Sequence, residues 1–169
     1  MTFTFSEEQQ ALRKAVAAFA ADHSDEATVR ALADTEVGFD AATWRLLAEQ
    51  VGVAGLVVPE RHGGAGAGPV ELAIAAEELG KRLFCGPFLS SAVLATSLLG
   101  ALDESPENAA LLSAMAAGAH VATVALDEGA GSWDPAATAT TATEGPQGWT
   151  VTGTKRYVLD GAGADTLLV

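Results

Sequence analysis

With 169 residues, 49% hydrophobic and 18% charged, the chain has the composition of a folded globular protein and not of a disordered one. Its formal net charge of −13 argues against nucleic acid or an anionic membrane as a partner, since both repel such a surface. The lone Cys85 excludes an intrachain disulfide and a cysteine-rich metal site, and reads as a small buried hydrophobe. His23, His62 and His120 are scattered without a carboxylate or cysteine at ligand spacing, so no metal site is expected.

The first part of the chain reads as short, well-punctuated helices. Ser6 with Gln9 makes a capping box, after which Leu12, Val16 and Phe19 share one helical face. Ser24, followed by Asp25 and Glu26, predicts the start of a second helix carrying Val29 and Leu32. Asp40 predicts the cap of a third, with Trp44, Leu47 and Val51 in a stripe and Gly52 as its stop. Val53 to Val58 is an apolar run expected to be extended, ended by Pro59.

The glycine-rich loop Gly63 to Gly68 lacks the spacing of either phosphate-binding fingerprint and reads as a turn. Pro69 then suits the first position of a helix reaching about Arg82, which buries Val70, Ile74 and Leu79 and gives Glu71, Glu77 and Glu78 to a solvated face. From Leu83 to Leu102 no residue is charged, but Gly86, Pro87 and Gly100 favour a shorter buried helix opening at Pro87 over a membrane span. Ser105-Pro106-Glu107 opens one more helix, and Gly118 closes it. The amino terminus has no basic segment and no long apolar core of the secretory kind.

After Gly118 the pattern turns to strands: Val121 to Leu126, Ala137 to Thr143 and Trp149 to Val158, the last two separated by a turn over Glu144 to Gly148. A boundary near Gly118 divides the chain into a helical region, 1–118, and a strand region, 119–169. Between the first two strands, Asp127-Glu128-Gly129-Ala130-Gly131-Ser132 leaves the main chain open to a flat ring or a pyrophosphate, or forms a plain glycine-rich turn.

Four segments together resemble the acyl-CoA dehydrogenases. Phe5-Ser6-Glu7-Glu8-Gln9 is similar to the family's usual start, and Pro59-Glu60-Arg61-His62-Gly63-Gly64 to its P-E-x-x-G-G loop. Asp127 to Ser132 resembles T-E-P-x-A-G-S-D, and Val151 to Val158 resembles L-N-G-x-K-x-W-I at Gly153, Lys155 and the aromatic Tyr157. The resemblance implies an α+β chain: an all-α N-terminal helical domain, then the first strands of a β-barrel domain, stopping before the family's C-terminal helical bundle. It also implies flavin-dependent α,β-dehydrogenation of an acyl-CoA thioester from fatty-acid or steroid side-chain metabolism. FAD would be the cofactor, electron-transfer flavoprotein or a similar protein the acceptor, and the assembly a homo- or hetero-oligomer in the cytoplasm. The catalytic base would lie beyond Val169.

By the same resemblance Val124, Leu126 and Asp127 border the flavin ring. Ser132 serves the coenzyme A or flavin phosphate region, and Tyr157, Val158 and Leu159 form a second wall. The sequence departs from the pattern in three places. Asp127 stands for Thr, the proline after Glu128 is missing, and Leu159 stands for a hydroxyl residue. These departures raise a second expectation, a partner subunit with an altered flavin site, as in actinobacterial heteromers. A flavin monooxygenase of the same fold and an acidic helical interaction module are the alternatives.

Overall fold

The computed structural model describes residues 4–129 and 135–169. Six α-helices occupy the first part: α1 (Glu7–His23), α2 (Glu26–Ala33), α3 (Ala41–Val51), α4 (Pro69–Lys81), α5 (Thr96–Ala101) and α6 (Pro106–Ala116). A π-helix, Phe88–Ala95, runs directly into α5. Four short strands follow: β1 (Ala122–Val124), β2 (Thr141–Gly145), β3 (Gly148–Thr152) and β4 (Thr166–Leu168).

The caps explain the helix starts. The Gln9 amide donates to Ser6 Oγ at 3.2 Å while the Ser6 amide donates to Gln9 Oε1 at 3.0 Å, completing the expected box. Asp40 caps α3 through the Thr43 amide, 2.7 Å, and Gly52 ends it in the left-handed conformation, φ 76°. The cap of α2 is Asp25 and not Ser24: Asp25 Oδ1 accepts from the Thr28 amide at 2.7 Å, because the helix begins one residue later than the serine would require.

α1 packs along α4, and α3 lies against α1. Val16, Phe19, Trp44, Leu47, Ala75 and Leu79 meet in one buried cluster, with Leu12 and Val51 half-buried at its margin. A second cluster gathers Val58, Ala95, Leu99, Leu112 and Met115 with Ala122 of β1. Ile74 is also buried, and Val70 only half so. Cys85, expected inside, is half-buried with its Sγ 3.6 Å from the Leu83 carbonyl.

Val53 to Val58 is not extended. A 3-10 turn covers Val53–Gly55, with the Gly55 amide on the Gly52 carbonyl (3.1 Å) and the Val58 amide on the Gly55 carbonyl (3.2 Å). Val53, Ala54, Leu56 and Val58 are all buried, so the run has no alternation to distinguish a strand from a buried turn. Glu78 does not belong to the solvated face expected of it. It is 7% exposed, held by Lys81 Nζ at 2.8 Å and near Arg13 Nε at 3.4 Å, and a carboxylate is buried in this way only when paired. Pro87 caps the π-helix as a fully buried residue and so stands one position before the helix start expected of it. Among the described residues no helix is long and apolar enough to cross a membrane.

The strands form two small sheets. β1 and β4 pair in parallel, Ala122 opposite Thr166 and Val124 opposite Leu168, while β2 and β3 form an antiparallel hairpin. Each expected strand is shorter than its sequence run. Gly145 pairs with Gly148, which reduces the turn to Pro146 and Gln147. β3 stops at Thr152, so Tyr157 and Val158 lie outside any strand. The arrangement is a helical N-terminal region followed by the start of a sheet domain.

Candidate functional site

The site is built where β1 ends. After the Ala125 amide bonds to the Leu168 carbonyl at 2.8 Å, the chain leaves the sheet and Leu126, Asp127 and Glu128 follow. The chain returns beside them on leaving β3: the Arg156 amide donates to the Asp127 carbonyl at 2.7 Å, and Lys155 Nζ lies 3.4 Å from the Leu126 carbonyl. The two motif segments are thus bonded to each other through their backbones.

Glu128 anchors this junction. Its carboxylate accepts from the Ala139 amide (2.7 Å), the Thr140 amide (3.0 Å), the Thr140 hydroxyl (2.5 Å) and Lys155 Nζ (2.9 Å). The Thr140 hydroxyl above all, then Lys155 and the two amides, hold its pKa down at about 2. Gly153 belongs to the same clamp. A Cβ there would sit 2.2 Å from Thr140 Oγ1, so only glycine lets the chain pass Thr140 on its way to Lys155. The G-x-K spacing is therefore a packing device: the glycine clears the threonine, and the lysine reaches the carboxylate.

The residues expected to hold a ring divide into two kinds. Leu126 (55% exposed), Tyr157 (86%) and Leu159 (47%) offer large apolar or aromatic surface on the two linked segments. Val124 and Val158 are half-buried, Val124 against the second core cluster. Asp127 turns its carboxylate to its own chain, where Oδ1 accepts from the Gly129 amide in a local turn. Ser132 lies outside the described residues. Exposed apolar and aromatic groups on the two linked segments suit a flat ring that would cover them, so the residues present fit the isoalloxazine part of a flavin.

Tyr157 and Asp160 are held in the left-handed region, φ 51° and 52°, which costs a non-glycine residue about 1–2 kcal/mol each. The Thr123 hydroxyl, fully buried, donates to the Leu159 carbonyl at 2.7 Å. Ser90 of the π-helix, also fully buried, donates to Asp160 Oδ2 at 2.5 Å. Thr123, Thr140, Ser90 and Asp160 were not legible as site residues. The Glu128–Lys155 pair could have been found, since acid and base sit inside the two motifs.

The profile described as "Acyl-CoA dehydrogenase, N-terminal domain" matches residues 6–119. The chain belongs to the acyl-CoA dehydrogenase family. The acyl-CoA dehydrogenase IpdE2 of Mycolicibacterium smegmatis is 41% identical over 122 residues, which are 72% of this chain and 38% of that protein. Solved structures share the fold. The ChsE4–ChsE5 complex from Mycobacterium tuberculosis has a TM-score of 0.83 at 32% identity, covering 100% of this chain and 45% of that one. The Tcur3481–Tcur3483 steroid ACAD has a TM-score of 0.82 at 34% identity, covering 96% and 44%. The chain thus spans about two-fifths of the length of the family members it matches.

Proposed function

We propose that these residues form the front part of an FAD-dependent acyl-CoA dehydrogenase, or of the partner subunit of one. The helical domain would be residues 1–118, and 119–169 the opening of the flavin-contacting β-barrel domain. The observation that carries the reading is the backbone junction between Asp127 and Arg156, which fixes exposed Leu126 beside the segment bearing Tyr157 and Leu159. Val124, Leu126, Asp127, Tyr157, Val158 and Leu159 would border the ring, and Ser132 would serve the flavin or coenzyme A phosphates.

When bound, the flavin supplies a two-electron acceptor for the dehydrogenation. The chain's own share is placement and exclusion of water. Leu126, Tyr157 and Leu159 would cover the ring, and the Glu128–Lys155 clamp keeps their segments in register. No base is assigned within the chain, and the carboxylate that removes the α proton is proposed to come from outside these residues. An apolar groove of about 450 Å³ between α4 and the π-helix, lined by Leu72, Leu79, Phe84, Phe88 and Val93 among others, suits an apolar ligand.

The partner-subunit reading is favoured by Asp127 and Leu159. A carboxylate beside the ring opposes negative charge developing there on reduction, and leucine has no hydroxyl to offer it. Heteromeric assembly, a soluble cytoplasmic setting and an electron-transfer flavoprotein as acceptor belong to the same proposal. The test is the flavin absorbance spectrum of the full-length protein, purified alone and with its partner. Stoichiometric FAD on the lone chain favours a self-sufficient enzyme, and FAD only in the complex favours the partner subunit. Absence of flavin from both samples overturns the proposal and leaves an interaction module.

A further inference from the structure

Serine inside a helix ordinarily returns its hydroxyl to a carbonyl of its own preceding turn. Ser90 does not: its hydroxyl leaves the π-helix and meets a carboxylate 70 residues away, Asp160. The neighbouring Ser91 Oγ accepts from the Ala122 amide of β1 at 3.3 Å, and the Ser91 carbonyl accepts from both the amide and the hydroxyl of Thr96, five residues on. The π register therefore presents two consecutive buried hydroxyls to the sheet side of the molecule, and π-helical turns are enriched where a protein has functional geometry to hold.

The segment receiving this support needs it. Tyr157 and Asp160 both have positive φ, and such residues persist only where their surroundings over-determine them. Tyr157 is 86% exposed, so its own side chain supplies little of that support. Four bonds close on the segment instead: Ser90 to Asp160, Thr123 to the Leu159 carbonyl, the Gly161 amide to the Val158 carbonyl at 3.2 Å, and the Gly163 amide to the Asp160 carbonyl at 3.0 Å.

We propose that Ser90 and Asp160 are a positioning pair for the cofactor site: the π-helix holds the Tyr157–Leu159 segment in the one conformation that offers its apolar surface to the flavin ring. The pair touches no reacting atom and acts through the backbone it fixes. This rests on the flavin reading given above, and it adds residues to it that lie outside both sequence motifs.

The test uses the full-length protein, with its partner if flavin is taken up only in the complex. FAD is titrated by flavin fluorescence into wild type, Asp160→Ala, Ser90→Ala and Asp160→Asn. Asp160→Ala and Ser90→Ala are expected to raise the Kd for FAD about tenfold, the loss of one hydrogen bond to a charged group. Asp160→Asn keeps an acceptor for the Ser90 hydroxyl and tolerates positive φ, so it should bind as wild type does. In the flavin-free protein, amide exchange at Gly161 and Gly163 should quicken in the two alanine variants while α1 and α4 are unchanged. Asp160→Ala binding FAD as tightly as wild type, Asp160→Asn binding as weakly as the alanine variant, or unchanged exchange at both glycines overturns the pair. Should Ser90→Ala fail to fold, the half-buried Asp160 variants decide. A wild-type protein that takes up no FAD in either form removes the flavin reading itself, and the proposal with it.

Discussion

Replacing Gly64 by alanine should be far more damaging than replacing its neighbour Gly63. A Cβ on Gly64 would lie 2.1 Å from the Val58 carbonyl oxygen, 2.4 Å from Val58 Cβ and 2.6 Å from the Gly55 carbonyl oxygen. Two of these are main-chain atoms, so no side-chain rotation relieves the overlap, and the loop must move by about 1 Å. That movement loosens three backbone bonds lacing the loop to the buried turn: Ala65 to Gly55 (3.0 Å), Gly66 to Val58 (2.9 Å) and Ala67 to Leu56 (2.7 Å). At about 1 kcal/mol per bond, with about 1 kcal/mol or more for residual overpacking, the cost is about 4 kcal/mol. For a protein of this size that corresponds to about 10 °C in Tm. Gly63 has φ 83° but open space around its missing Cβ, so Gly63→Ala should cost only about 1 kcal/mol from conformation alone. Urea unfolding followed by far-UV circular dichroism measures both. The steric argument fails if Gly64→Ala lies within about 1 kcal/mol of wild type, or if the two variants cost the same.

Three further outcomes follow from named contacts. Glu128 has its pKa lowered from 4.5 to about 2, so its contribution to stability is complete above 4.5 and is lost as pH falls through about 2. Denaturant titrations at about pH 6 and about pH 2 should therefore show wild type losing more stability than Glu128→Gln, and equal losses would remove the clamp. Trp44→Ala should cost about 4 kcal/mol in chemical unfolding, because a side chain only 1% exposed leaves a large cavity. The 169 residues alone should show no turnover of an acyl-CoA with an electron acceptor. Measurable turnover would place a base within them.

The parts of the fold that were legible are those decided by local chemistry. Ser6 with Gln9, Asp40, Gly52, Pro69 and Ser105 each act on backbone groups within a few residues, and each does in the structure what its type and position imply. What escaped depends on contacts distant in the chain. Glu78 is buried between Lys81 of its own helix and Arg13 of α1, 65 residues earlier, and the packing of α1 that covers it cannot be read from α4 alone. The run from Val53 to Val58 is buried at every position except the half-buried Val57, so its apolar character carries no period to read. The strands are shorter than their sequence runs because threonine and valine favour extended backbone whether or not a partner strand is present to pair with. Within the site, the two motifs located the junction, but the buried hydroxyls supporting it come from Thr123 and from a helix with no motif of its own.

β1 belongs to both halves of the molecule. Val121, just before it, lies in the first helical cluster, Ala122 in the second, and its amide rests on Ser91, while β4 supplies the strand beside it. The seam between the halves is therefore not a place where one could be exchanged for that of a relative by a cut at Gly118. A graft made there would leave the incoming helices without the strand that completes their interior, and it would ask a foreign β1 to meet serines it had not been selected to meet.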